Sequence, residues 1–442
     1  MKIMKLNVTL GPQTRTGRFF RTLLTSFVHL GAATLYSFLL IPLILHFENT
    51  EKLGLWLLVA QMGAYLAVVD AGLSALSIRQ FVGAASEGDF FRLAPRFQAT
   101  FLVSSLQGLF ICLLGFSGGW WAGIFKISGN LENLFCQLFL VQCFLVGISF
   151  PFRPFSSLLL AAQRFETNYL ASSVFFGIAI ILAWCGFQQG WGLWSLLMGS
   201  FFQIIASGIT SILKVKSLGD WSPLFSRGTG ARRLIPGLLR ESAAFANGPV
   251  FFVLGGLLQS TVLSRLFGLE GVALWNVGTK IATFFSQVLS KFYESSFGGL
   301  SELFERGHSL QMRIRFLTVL IATSAISVLL AACLPFGNGP FIDWWTRGVL
   351  AWPAQATWGV SLWLITTTLT KGVAEQTKVL LLWHQIRWGP LLDFIALAAF
   401  LSAAFLSPKM PTYALALALA PLGGSFAWNA RSLFLHMHIK RS

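Results

Sequence analysis

Twelve apolar blocks recur along the 442 residues, near 23–45, 53–78, 97–117, 131–150, 169–187, 191–213, 243–263, 271–296, 314–335, 350–370, 388–406 and 412–435. Most approach the roughly 20 residues that an α-helix needs to cross about 30 Å of hydrocarbon. Lipid offers no hydrogen-bonding partner to a bare peptide group, so a continuous apolar block of this length satisfies its own backbone by folding as a helix. Only 11% of the residues are charged and 55% are hydrophobic, whereas a soluble domain carries about a quarter charged residues. The pattern predicts an all-α integral membrane protein with about 12 transmembrane helices in two six-helix lobes around a central cavity.

Basic residues outnumber acidic ones 32 to 16. A nucleic-acid-binding face needs those charges gathered on one surface, but here the apolar blocks divide them among short loops, so no nucleic-acid partner is expected. Their distribution carries topology instead, because Lys and Arg collect on the cytoplasmic side of a membrane. With a cytoplasmic N-terminus, the inner segments and adjoining helix ends hold 26 of the 32, among them Arg92, Arg96, Arg227, Arg232, Arg233, Arg306, Arg313, Arg315, Lys440 and Arg441. The outer segments hold five, Lys52, Lys126, Arg265, Arg347 and Lys409, and Lys280 falls inside a span. Both termini are therefore expected in the cytoplasm. The N-terminus is basic (Lys2, Lys5, Arg15, Arg18, Arg21), but the block that follows exceeds a signal-peptide core and reads as an uncleaved first span.

The longest polar interval, 214–240, follows the sixth block and divides the chain into an N-terminal lobe (1–213), a cytoplasmic linker (214–240) and a C-terminal lobe (241–442). A short internal echo has the same spacing. Leu53-Gly54-Leu55-Trp56 and Val272-Ala273-Leu274-Trp275 are 219 residues apart, and that offset sets Glu87-Gly88-Asp89 opposite Arg306-Gly307-His308. The outer loops are short, the longest near 118–131 and 336–348, which leaves no room there for a catalytic domain.

The sequence holds no GxxxxGK[ST] loop and no HExxH helix, and its five cysteines form no CxxC pair. No resident cofactor is expected, and transport would draw on an ion gradient, H⁺ or Na⁺, or on the cargo's own gradient. Charge inside the spans is the remaining signal, since ionised groups in a membrane are costly and turn toward cavities or partners. Lys280 lies nine residues into the eighth block, about 13 Å deep at 1.5 Å per residue, and suits an anionic cargo such as a diphosphate or an acidic sugar, or a carboxylate partner. Asp70 could bind a coupling ion, neutralise an Arg or cap a helix segment near Gly72. Arg79 reads as a topology anchor, with a ligand role as the alternative. Lys291 and Glu294 are three apart and close enough to pair on one helix face. Arg153, between Pro151 and Pro154, marks a broken span end, and Asp393 and Arg387 flank an interfacial region. Six tryptophans, Trp120, Trp121, Trp344, Trp345, Trp352 and Trp358, collect near the expected outer surface as an aromatic belt.

These features together resemble the polysaccharide or O-antigen translocases (Wzx-like flippases) of the multidrug, oligosaccharidyl-lipid and polysaccharide exporter superfamily. The resemblance rests on Ile41-Pro42, on Gly54-Leu55-Trp56, on Asp70-Ala71-Gly72-Leu73-Ser74 running into Arg79, and on Ala162-Gln163-Arg164-Phe165 before Asn168. In the second half it rests on Glu270-Gly271-Val272-Ala273-Leu274-Trp275 and Gly299-Leu300-Ser301-Glu302. It implies a bacterial inner-membrane flippase that moves a polyprenyl-diphosphate-linked oligosaccharide through a cationic lumen, with a polysaccharide polymerase and glycosyltransferases as partners. On that pattern Lys280, Arg79, Lys291 and Arg153 would meet the anionic cargo, and Asp70 and Glu294 would serve coupling or gating. Two alternatives stand beside it. One is a multidrug antiporter of the same superfamily. The other, of a different class, is a membrane glycosyltransferase, for which Glu48 and Glu51 would be the acidic pair.

Overall fold

The computed structural model describes residues 15–439, apart from 88–89, 163, 165, 220, 227–229, 306 and 381–382. All regular structure among the described residues is helical. The first pass is α1 (Arg15–Phe47), and the second is α2 (Thr50–Tyr65), a 3-10 turn at Leu66–Asp70 and α3 (Leu73–Glu87). α4 (Phe90–Leu114) makes the third, capped by the short α5 (Gly118–Ile124), and α6 (Asn130–Ser149) with α7 (Arg153–Ala161) makes the fourth. α8 (Glu166–Gln188) and α9 (Trp194–Lys216) complete the first half. Of the 214–240 interval only 217–230 separates the long helices, because α10 (Ala231–Gly278) already begins at Ala231.

α10 contains two passes. At Gly268 the backbone takes φ 67 and ψ −170, a left-handed geometry that favours glycine. The chain doubles back there so tightly that a Cβ on Gly271 would lie 2.1 Å from the Cβ of Phe267. α11 (Lys280–Glu305) finishes the eighth pass. α12 (Ser309–Thr346), α13 (Ala354–Val379) and α14 (Trp383–Leu406) follow, and α15 (Met410–Pro421), a π-turn at Leu422–Phe426 and α16 (Ala427–Ile439) form the twelfth.

Among the described residues, ten helical stretches are long and apolar enough to cross a membrane. Their outward side chains are greasy: Leu35, Leu106, Ile181, Leu213, Ile321 and Leu329 all stand more than half exposed. Water would penalise that surface at roughly 25 cal/mol per Å², but hydrocarbon imposes no such penalty.

Within the first half α8 lies along α1 and α9, α4 along α6, and α3 along α7. In the second, α13 is central and touches α11, α12 and α15, while α10 lies along α14. The halves meet where α2 runs antiparallel to α10. Small residues permit that approach: a Cβ on Gly54 would lie 1.9 Å from the Leu269 carbonyl oxygen, and one on Gly256 would lie 2.2 Å from the Tyr65 hydroxyl. Between these points Ser260 Oγ donates to Gln61 Oε1 at 3.0 Å. The repeated tetrapeptides both end in this region, with Leu53, Trp56, Val272 and Trp275 all buried in the same core.

Two sequence expectations change. The expected outer loop at 336–348 is mostly helix, since α12 continues to Thr346 past Pro335 and Pro340. Asn338, Ile342 and Trp345 are buried there, and packing holds the segment helical where proline alone would end it. The aromatic belt is also smaller than expected. Trp120, Trp344 and Trp358 are exposed, but Trp345 is buried and its Nε1 donates to the Phe38 carbonyl at 3.0 Å, and Trp352 Nε1 donates to Thr357 Oγ1 at 2.8 Å. These two rings clamp helices together. Lys2, Lys5, Lys440, Arg441, Arg227, Gln163, Phe165, Asp89 and Arg306 lie outside the described residues.

The Gly54 contact leaves no space for a side chain. Gly54→Val should destabilise the protein by about 1–3 kcal/mol, read as a lower midpoint in thermal unfolding in detergent, and an unchanged midpoint would mean that α2 and α10 are not this close.

Candidate functional site

Two helices that complete the twelve passes are absent from the ten apolar stretches: α11 and α13. They are neighbours, and they carry Lys280, Lys291 and Glu294 on one and Lys371, Glu375 and Lys378 on the other. Helices this polar are stable in a membrane only where their charges face a partner or an aqueous cavity.

Lys280 is the first residue of α11, next to a kink at Thr279 where φ is −95 and ψ is 0. Asn338 on α12 supports the kink by donating from Nδ2 to the Gly278 carbonyl at 2.9 Å. Gly278 itself lies against the Trp352 ring, where a Cβ would come within 2.0 Å. The Lys280 side chain is half-buried and has no hydrogen-bond or ion-pair partner among the described residues.

Lys371 falls one residue past the apolar block at 350–370, where the sequence predicts an inner loop. The helix in fact runs to Val379. Its Nζ donates to Ser286 Oγ and Ser290 Oγ, both at 3.2 Å, on the neighbouring α11. Two hydroxyls orient this ammonium but do not neutralise it, and no described carboxylate lies within 4.0 Å. The available signal was spacing, since Lys371, Glu375 and Lys378 continue the helix face at four- and three-residue steps.

Lys291 and Glu294 form an ion pair at 2.6 Å, and Lys378 pairs with Glu375 at 2.5 Å. In the first half the structure joins two residues that the sequence considered separately: Arg153 Nη1 lies 3.1 Å from Asp70 Oδ1. Both sit at breaks. The second pass unwinds through Leu66–Asp70 into left-handed Ala71 and Gly72 (φ 47 and 78), and the fourth unwinds at Phe150–Phe152 before Pro154. Asp70 also accepts from Ser74 N at 3.1 Å and Ser74 Oγ at 2.7 Å, so it caps α3 as well as pairing with the Arg. Arg153 lies 3.7 Å above the Phe150 ring, a cation–π contact, and Gln107 Nε2 donates to the Val69 carbonyl at the break, at 2.7 Å. Arg79 stands exposed further along α3. Asp393 accepts from Ser425 N at 2.7 Å and Ser425 Oγ at 3.0 Å, across the π-turn. Glu48, one of the two acids of the glycosyltransferase alternative, pairs with Lys52 at 2.6 Å.

This architecture is similar to several solved structures. An inward-facing multidrug-resistance MATE transporter of the MOP superfamily aligns over 91% of this chain and 94% of its own, with a TM-score of 0.76 and 12% identity. The lipid II flippase MurJ in an inward closed conformation aligns over 93% and 87%, with a TM-score of 0.69 and 12% identity. A MOP-superfamily transporter from Pyrococcus furiosus, described as having a binding pocket of reverse polarity, aligns over 94% and 95% with a TM-score of 0.66 and 12% identity. The chain shares the fold of these three structures. No protein-family model matches its sequence, and no curated protein does. At 12% identity the likeness is one of fold alone.

The Asp70–Arg153 clasp can be tested by a double-mutant cycle. Asp70→Asn and Arg153→Gln should each destabilise the protein, and the pair should show a coupling energy of about 0.5–3 kcal/mol in thermal or denaturant unfolding. Additive effects would mean that the two side chains do not interact.

Proposed function

We propose that this protein is a flippase that moves a polyprenyl-diphosphate-linked oligosaccharide, an O-antigen or exopolysaccharide repeat unit, across the bacterial inner membrane. One observation carries the reading: two lysines, Lys280 and Lys371, sit on adjacent helices of the bundle with no ion pair among the described residues. Three carboxylates within the passes are ion-paired, Asp70 with Arg153, Glu294 with Lys291 and Glu375 with Lys378, whereas Asp393 is held by Ser425 alone. Lys280 and Lys371 form no ion pair among the described residues, although Glu294 and Glu375 lie in the neighbourhood of Lys371. A desolvated ammonium is expensive to keep, and a mobile anion supplies what the protein withholds. A diphosphate carries that charge, and its polyprenyl chain can stay in the lipid while the saccharide crosses.

In this reading the 217–230 side of the bundle faces the cytoplasm, as the distribution of Lys and Arg favours. The two halves, 1–213 and 241–442, rock about their α2–α10 contact to expose the cargo path to each side in turn, driven by an H⁺ or Na⁺ gradient. A polymerase and glycosyltransferases would act on the same lipid-linked units. The second reading, a multidrug antiporter, draws on the MATE transporter's TM-score of 0.76 against 0.69 for MurJ. The ion pairing of Asp70, Glu294 and Glu375 weighs against a cationic cargo.

The test is translocation by the purified protein in proteoliposomes, with a fluorescent polyprenyl-diphosphate saccharide and a cationic dye offered separately. The saccharide should cross and the dye should not. Lys280→Ala should slow it about tenfold or more, the effect of losing a charge-assisted hydrogen bond worth about 1.5–3 kcal/mol. Transport of the dye alone would establish the second reading.

A further inference from the structure

A cavity of about 620 Å³ opens on the side of the bundle opposite the 217–230 linker, within the size range of small-ligand sites. Four connections meet there: the α1–α2 turn with Thr50, the α10 hairpin at 267–274, the α12–α13 connection at 349–355 and the α14–α15 connection at 408–411. The floor is apolar, with Leu350 and Met410 buried in the core beneath it and Leu274 beside them. The lining carries one acid and one base. Glu270 stands two residues past the reversal at Gly268, and Lys409 stands at the start of α15.

Opposite charges on one cavity wall are expected to meet, as Glu48 and Lys52 do at 2.6 Å on the same side of the protein. The side chains of Glu270 and Lys409 make no ion pair and no hydrogen bond with any described residue. The backbone holds them apart. The reversal at Gly268 fixes the position of Glu270, and Pro408 and Pro411 restrict the chain around Lys409, which is itself extended (φ −121, ψ 143). A lone anion would be opposed by Glu270 and a lone cation by Lys409, so the wall suits a ligand that carries both charges a fixed distance apart. The rim borders lipid. Leu406, two residues before Pro408, closes the apolar stretch of α14 and is 89% exposed, and Val349 on the rim is exposed as well. The cavity therefore lies where the chain leaves hydrocarbon, at the depth of phospholipid head groups.

We propose that this cavity binds the head group of a zwitterionic phospholipid bearing a primary ammonium, of the phosphatidylethanolamine type. The Glu270 carboxylate accepts from the ammonium, the Lys409 ammonium donates to the phosphate, and the floor at Leu274, Leu350 and Met410 covers the glycerol end. A primary ammonium offers three N–H donors to the carboxylate, whereas a trimethylated one offers none, so the site distinguishes ethanolamine from choline. The bound lipid also has a mechanical effect. Thr50 belongs to the first half of the chain, and Glu270 and Lys409 belong to the second. A head group seated among them spans the seam beside the close contact of Gly54 with Leu269, and it holds the two halves together on this side.

The protein is reconstituted in nanodiscs of equal parts phosphatidylethanolamine, phosphatidylcholine and phosphatidylglycerol, and the lipids it retains on release are counted by native mass spectrometry. Phosphatidylethanolamine should be retained about tenfold over the other two, as expected for one additional charge-assisted hydrogen bond. Glu270→Gln and Lys409→Gln should each remove that preference. Glu270→Lys leaves two cations on the wall and should turn the preference to phosphatidylglycerol. Both side chains are exposed, so neither substitution disturbs the core. A phosphatidylethanolamine with a photoreactive head group should label the segment 405–411 in the parent protein and not in Glu270→Lys. Equal retention of the three lipids by the parent, an unchanged preference in Glu270→Lys, or labelling confined to other segments overturns the proposal. Displacement of the lipid by an equal concentration of water-soluble glycerophosphoethanolamine would assign the site to a free zwitterion and overturn the lipid assignment. No cargo is present, so this result and that of the translocation assay are independent.

Discussion

Hydrocarbon cannot solvate a free peptide group, and at several breaks in the helices of this protein a side chain answers the exposed polar group. Gln107 takes the Val69 carbonyl where the second pass unwinds, Asp70 accepts from the Ser74 amide on the other side of the same break, and Asn338 takes the Gly278 carbonyl at the kink before Lys280. Asp393 receives the Ser425 amide across the π-turn of the last pass. Breaks of this kind are tolerated at membrane depth because neighbouring helices re-satisfy the freed groups. The partners come from other passes at three of the four, so the irregular points are also points of attachment between helices.

The same constraint governs charge. An ion pair within the bundle, such as Asp70–Arg153, costs less than either ion alone, and the protein uses such pairs for Lys291, Lys378 and Arg153. Lys280 and Lys371 depart from the rule together, on two adjacent helices too polar to pass as ordinary spans. Structural cations would be expected to show the pairing seen elsewhere in the chain.

Legibility in the sequence followed the strength of the physical signal. The all-helical membrane fold was plain, because a 20-residue apolar block has one stable state in lipid. Lys280 stood out because it interrupts such a block. Lys371 did not, because a helix carrying Thr366, Thr368, Thr370, Lys371, Glu375 and Lys378 loses the hydropathy that marks a span, and its end was set nine residues early. The loop expected at 336–348 failed for the opposite reason. Its prolines and glycines are turn signals, but burial of Asn338, Ile342 and Trp345 outweighs local preference.

By itself the sequence determined that the chain lives in a membrane as a helical bundle, roughly where it crosses, and that a few ionised groups lie within it. These follow from solvation of each segment taken alone. Only the tertiary structure decided which charges neutralise one another. Asp70 and Arg153 are 83 positions apart, and Lys371 meets its serines 81 and 85 positions away, because helix breaks and crossings bring them to one point. Pairing depends on distances of about 3 Å between separate helices, and one-dimensional spacing holds no information on that scale.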